Sequence, residues 1–479
     1  MKVRTQLPWI ARCALALVAL LSFTAQGQLK PKDPLGDWMG TLKVQGMTLR
    51  IVFHLTARDG AYAASMDSPD QNANGIAIPS VRVEGDSVLL GLPAIGGRFR
   101  GVLLTDSTID GIWTQSGATW PLPLARMKAP LQRKRPQEPK KPYPYDDEEV
   151  TFMNADAGIA LAGTLTLPRS GRPCAAVVMI TGSGPQDRDE TIFDHKPFWI
   201  IADYLTRHGV AVLRVDDRGM GKSKGNFSTA TTVDFADDVR SALRYLRSRT
   251  EIDATRIGLI GHSEGGLIAP MVAQQDKGVA FLVLLAGPGV PGEDILYKQG
   301  ALISRAAGSS EAQIAETLEM QKALFSIVRQ EADSAKAMGL LAAAMRDQLG
   351  KQKDLDSTQR RNAEAGISMQ AAQVNSPWFR YFLTYDPRPA LRKTTIPVLA
   401  LNGENDLQVA PSQNLPEIER ALKAAGNTHF ETRLLPKLNH LFQTSATGSL
   451  AEYGTIEETV SPLALQAMGD WIARVTKTK

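Results

Sequence analysis

At 479 residues, with 43% hydrophobic and 22% charged residues, the chain is too long for one ordinary domain and too apolar for a disordered one. Its 54 Lys and Arg stand against 50 Asp and Glu, a formal net charge of +4 that marks out neither a nucleic-acid partner nor an anionic membrane surface. Cys13 and Cys174 are its two cysteines, which excludes a disulfide framework and leaves the fold to its cores.

Residues 1–27 read as a secretory signal peptide. Lys2, Arg4 and Arg12 precede an apolar run from Ala14 to Phe23, and Ala25-Gln26-Gly27 supplies small residues for cleavage. The run is shorter than the roughly 20 residues that a membrane span needs. Export to the periplasm or the medium is expected, with no stable membrane insertion once the leader is cleaved. Cleavage removes three cations, no acid and Cys13, so the remaining chain is nearly neutral with Cys174 alone.

Residues 28–129 are expected to form a small all-β antiparallel domain. The runs 48–55, 87–92, 99–104 and 109–113 are short and strand-like, punctuated by Asp-Gly and Gly-Asp turns. No catalytic constellation lies among them, so a packing or spacer role stands beside a binding or lid-like one. Residues 130–146 follow as a linker, with Pro130, Pro136, Pro139, Pro142 and Pro144 among Arg133, Lys134, Arg135, Lys140 and Lys141. Such a segment is expected to run extended and solvated.

From 147 to 479 the pattern alternates. Strands at 150–154 and 161–167 lead into the apolar run 175–180, which suits a strand buried on both faces. A helix near 196–208, a strand at 210–215 and a helix at 232–249 opened by Thr232 come next. Strands at 256–260, 281–285, 397–401 and 431–434 complete the set. This alternation predicts an α/β architecture with a mostly parallel sheet wrapped on both faces. Between about 288 and 390 the rhythm gives way to helix formers at 301–307, 311–330, 334–349 and 356–375. A helical cap inserted there belongs over the carboxyl ends of the strands, with Met320, Met338, Met345 and Met369 packing its helices or facing the pocket.

The chemistry centres on Gly261-His262-Ser263-Glu264-Gly265, which joins the strand at 256–260 to a helix from 266 onward. A serine on such a turn is a nucleophile elbow. Its hydroxyl needs a base within reach and a third group to orient that base. In the order Ser, Asp, His, the base belongs beyond the last strand, which selects His440 over His429. Asp406, in the turn 402–406, is the orienting acid, with Glu404 second. His262 is expected to face away from the pocket. The oxyanion donors are expected to be the N–H groups of Glu264 and Ser183, with Gly182 close behind, from the loop 181–190. That loop's acids are expected to brace it through salt bridges rather than to hold a metal. Gly221-Lys222-Ser223 lacks the glycine at 216 that a phosphate loop requires, and Asp187 interrupts the dinucleotide pattern begun at Gly182.

Taken together, the elbow, Asp406, His440, Gly182-Ser183-Gly184-Pro185 and the run from Asp217 to Ser223 resemble the α/β-hydrolase superfamily. The loop 181–190 is similar to bacterial carboxylesterases of the esterase D type, grouped with serine aminopeptidase-like (S33) hydrolases. The resemblance covers about 150 to the C-terminus. It implies an α/β-hydrolase fold and cleavage of small-molecule esters with short to medium acyl chains through an acyl-serine intermediate, without a cofactor. A serine aminopeptidase or dipeptidyl peptidase is the second reading, and it requires a carboxylate pair to hold a substrate ammonium. A non-catalytic binding protein on a hydrolase scaffold is the third, and the ordered Ser263, Asp406, His440 set argues against it.

Overall fold

The computed structural model describes residues 33–477 apart from 45–46, 59–60, 72, 116–117, 129–133 and 353–356. The signal peptide expected over 1–27 and the start of the linker, with Pro130 and Arg133, lie outside the described residues.

The N-terminal strands are β1 (Gly36–Val44), β2 (Met47–Arg58), β3 (Ala61–Ser68), β4 (Ala73–Ile78), β5 (Ser80–Glu84), β6 (Ser87–Leu92), β7 (Gly97–Thr105), β8 (Thr108–Gln115), β9 (Ala118–Pro121) and β10 (Leu124–Arg126). They form one antiparallel sheet in the order β4-β3-β2-β1-β10-β8-β7-β6-β5, with β9 also paired to β8. Alternation sets the inner face. Along β7, Phe99 and Leu103 are buried while Arg98, Arg100, Val102 and Leu104 point out. The sheet curls over its own core, because Phe53 on β2 meets Phe99 on β7 with ring centroids 5.0 Å apart.

The linker is not simply solvated. The guanidinium of Arg135 donates to the main-chain oxygens of Phe193, Asp194 and Ile456 at 2.9, 3.1 and 3.0 Å. Gln137 donates to the Val460 oxygen at 2.7 Å. Proline removes donors from this segment, so its long polar side chains instead satisfy main-chain groups of the loops it crosses. The next strand also begins inside the expected linker, at Tyr145.

The second sheet is built on β11 (Tyr145–Asn154), β12 (Ile159–Pro168), β13 (Cys174–Ile180), β14 (Ala211–Val215), β15 (Ile252–His262), β16 (Leu282–Leu285), β17 (Val398–Gly403) and β18 (Phe430–Leu435). The order is β11-β12-β14-β13-β15-β16-β17-β18; the strands from β14 onward run parallel, and β11 and β12 join antiparallel. This is the α/β-hydrolase fold. Helices α1 (Pro197–Arg207) and α11 (Pro462–Val475) cover one face through Phe198, Ile201, Met468 and Trp471. Helices α2 (Thr232–Arg247), α3 (Glu264–Gln275) and α10 (Pro411–Ala424) cover the other through Leu243, Leu267 and Ile418. Thr231, rather than Thr232, caps α2, with its N–H donated to Asp234 at 2.8 Å.

Between β16 and β17 lie α4 (Gly292–Ala306), α5 (Glu311–Gln330), α6 (Ser334–Lys351), α7 (Ser357–Val374), α8 (Pro377–Thr384) and α9 (Arg388–Leu391). They own a core of Leu324, Phe325, Val328, Leu341, Met345 and Ile367, with Met320 and Met338 against it. Met369 does not share it and stands 62% exposed. Helix α7 also lies against β9, so the cap meets the N-terminal sheet.

Candidate active site

Ser263 is the single residue between β15 and α3, with φ 52° and ψ −118°. A non-glycine residue held there is strained. The flanking glycines make the turn possible. A Cβ on Gly261 would stand 2.0 Å from the Gly265 oxygen, and one on Gly265 2.2 Å from the Ile180 oxygen. The Ser263 N–H is anchored to the Leu285 oxygen at 2.8 Å. Its neighbours His262 and Glu264 are buried, while Ser263 itself is only half-buried.

His440 lies on the loop after β18, and its Nδ1 is 2.9 Å from Asp406 Oδ2 on the turn after β17. Asp406 is fixed in turn by the amides of Gln408 and Val409, at 2.8 and 2.9 Å, and by the Asn402 side chain at 3.0 Å. Glu404 instead accepts the exposed N–H of Lys437. His429 precedes β18, at the opposite end of the parallel strands from Ser263. Ser263, His440, Ser183 and Glu264 line one cavity of about 220 Å³. Its apolar wall comes from Ile295 and Leu296 on α4, Trp378 and Phe382 on α8, and Leu441. The cap therefore roofs the site through its first helix and α8.

Of the expected oxyanion donors, Glu264 opens α3, where an N–H has no partner within the helix. Ser183 reaches the same cavity. Gly182 does not serve, because its N–H is donated to Glu190 Oε1 at 2.6 Å. His262 packs and hydrogen-bonds beside the elbow, its Nδ1 3.0 Å from Glu190 and its Nε2 3.0 Å from the main-chain oxygen of His440. It also borders the cavity, with its ring centroid 4.8 Å from that of His440. The strand ends at His262, and the loop carrying His440 folds back across that side.

The Glu264 carboxyl is buried, and burial raises its pKa against the opposing hydrogen bonds from Thr232, Trp378 and Ser183. The Thr232 hydroxyl donates to it at 2.6 Å and the Trp378 indole N–H at 2.9 Å. One carboxylate thus ties together the elbow, the start of α2, the cap and the loop 181–190. Burial likewise lifts Asp217 well above the usual carboxylate range; it accepts the Thr181 hydroxyl and the Gln186 N–H at 2.8 and 2.9 Å. Other acids of the loop act as braces. Asp189 pairs with Arg214, Asp187 accepts from Thr191, and the loop's Arg188 pairs with Asp216 after β14. The Gly221-Lys222-Ser223 run is part of the same bracing: Lys222 N–H donates to Asp216 at 2.9 Å, and the Ser223 hydroxyl donates to the Asp216 oxygen at 2.7 Å.

The family model described as serine aminopeptidase, S33, matches residues 198–444, just over half of the chain. The chain belongs to this hydrolase family. This S33 hydrolase is 30% identical over 158 residues to Esterase EstD of Thermotoga maritima, a match covering 33% of the chain and 36% of that esterase. It is also 30% identical over 147 residues to YfhR of Escherichia coli K12, over 30% of the chain and 48% of that protein. These matches span between a third and a half of the relatives' own length. Among solved structures, the α/β-hydrolase GrgF of a Penicillium species aligns at a TM-score of 0.42 and 17% identity, over 69% of the chain and 98% of that protein. A Pyrococcus furiosus esterase aligns at 0.40 and 16%, over 69% and 91%.

Proposed function

We propose that this esterase-like hydrolase cleaves carboxylic esters of small acids through an acyl-serine intermediate, with Ser263 as nucleophile, His440 as base and Asp406 as its orienting acid. The observation that carries the reading is the strained elbow serine sharing one cavity with a histidine whose Nδ1 is held by a buried carboxylate. In this reading His440 Nε2 takes the Ser263 proton as Oγ bonds to the ester carbonyl carbon. The N–H groups of Glu264 and Ser183 receive the oxyanion. Collapse breaks the bond to the alcohol, which leaves with the proton from His440, and water then repeats the sequence to free the acid.

Ester is favoured over aminoacyl substrate by the state of the cavity's acids. Glu190 and Glu264 are the carboxylates that line it, and internal donors engage both. Holding an ammonium would mean giving up those bonds. A cavity of about 220 Å³ also suits a short acyl group. We further propose export, on the strength of the leader; among the described residues, no helix is long and apolar enough to cross a membrane.

Hydrolysis of p-nitrophenyl acetate and butyrate beside aminoacyl-p-nitroanilides tests the substrate class. The esters are expected to turn over at least about a hundredfold faster in kcat/KM, a floor beneath the roughly 10⁴-fold by which a site with buried polar groups left unpaired rejects a substrate. Faster anilide cleavage would overturn the assignment.

A further inference from the structure

Glu190 and His262 form a second acid–histidine pair directly beside the first, and the mechanism above gives neither a role. His262 Nδ1 lies 3.0 Å from Glu190 Oε1, and its Nε2 lies 3.0 Å from the main-chain oxygen of His440. A carbonyl oxygen only accepts, so Nε2 carries a hydrogen. A neutral ring would then turn a bare Nδ1 toward a carboxylate oxygen that already accepts the Gly182 N–H. We infer that His262 is a buried imidazolium, and that with Glu190 it positions the oxyanion loop and the loop of the base on either side of Ser263.

The surroundings of the ring fit this charge. The groups facing it are Glu190 from the loop after β13, the His440 ring with Asp406 beyond it, and the edge of Phe442 at 6.4 Å. Behind it, Phe198, Ile201, Leu285 and Met468 close an apolar pocket. Burial alone would lower the pKa of such a histidine. The Glu190 charge and the two hydrogen bonds reverse this and hold it above its ordinary value. An ion pair in an apolar setting is costly to break by removing one partner. The pair thereby keeps Glu190 at φ 51°, a backbone region that favours glycine.

The connection is short at both ends. Gly182 N–H is fixed by Glu190, and the adjacent Ser183 lines the cavity. At the other end the imidazolium grips the backbone of His440 itself. A displacement of about 1 Å in either group is enough to cost on the order of a hundredfold in rate.

The protonation state is independent of any reaction; the positioning role rests on the serine-hydrolase reading. Protein labelled with nitrogen-15 in its histidine rings tests the first. Near neutral pH, His262 is expected to show both ring nitrogens protonated, and the Glu190→Gln variant to show a neutral ring at that position. A neutral His262 in the wild type overturns the inference. For the second, Glu190→Gln keeps an acceptor for Gly182 but removes the charge. It is expected to lower kcat for p-nitrophenyl butyrate on the order of ten- to a hundredfold with KM little changed. Wild-type kcat in that variant overturns the positioning role. Loss of the serine-hydrolase reading would show separately, as full activity in Ser263→Ala.

Discussion

Ser263 is held in a backbone conformation that few side chains adopt, and the residues around it explain why it stays there. Gly261 and Gly265 let helix and strand approach where any Cβ would collide with main-chain atoms. The amide of Ser263 is pinned to β16. These local requirements are what made the elbow visible in the sequence, since the spacing of two glycines and a serine reports directly on one turn. Asp406 and His440 were visible for a related reason: chain order restricts them to two loops. Glu190 was not, because its role depends on an irregular loop in which Glu190, Phe193 and Asp194 all take positive φ. No periodicity marks such a residue. Gly182 was misassigned on the same account, its N–H being claimed by an acid eight residues along the chain.

At the scale of elements, the strands and helices that position the site follow from hydrophobic pattern. The run 175–180 is buried throughout in β13, and the cap helices appear where helix formers accumulate. The linker is where pattern misled. Its prolines and cations describe a solvated segment, but Arg135 bonds to the carbonyls of Phe193 and Asp194, three and four residues beyond Glu190. The N-terminal sheet reaches the same loop, with Arg50 on β2 3.7 Å from Asp194. Arg135→Ala removes hydrogen bonds with a charged donor, each worth about 1.5–3 kcal/mol. Allowing for partial exposure, the expected loss is about 2 kcal/mol in unfolding free energy, together with faster amide exchange across 190–194. Unchanged exchange in that loop would show that the linker does not support it.

Across the whole molecule, two buried histidines give stability opposite responses to pH. His195 is buried, with Nδ1 2.9 Å from the Thr459 hydroxyl, and burial reinforced by the Arg135 charge lowers its pKa to about 4. The unfolded chain takes up this proton below its ordinary value of 6.5 while the folded chain does not. Its contribution is therefore complete above that value and is lost as pH falls toward 4, a change of about 3 kcal/mol. His262 is raised instead, so its contribution is complete below 6.5 and is lost as pH rises through its folded value. Carboxylates titrate in the acid range as well, so the comparison needed is between wild type and His195→Gln. The stability advantage of the wild type is expected to shrink steadily between pH 6.5 and 4 in urea unfolding; a constant difference would contradict a neutral buried His195.

The central claim is that Ser263 is an activated nucleophile in this fold, and covalent labelling tests it most directly. Folded wild-type protein treated with a fluorophosphonate is expected to gain one phosphonyl group, located by mass spectrometry on the peptide carrying Ser263. Ester hydrolysis should fall in proportion to labelling, and Ser263→Ala should neither label nor turn over. Labelling at another residue with ester hydrolysis intact in Ser263→Ala would contradict the account.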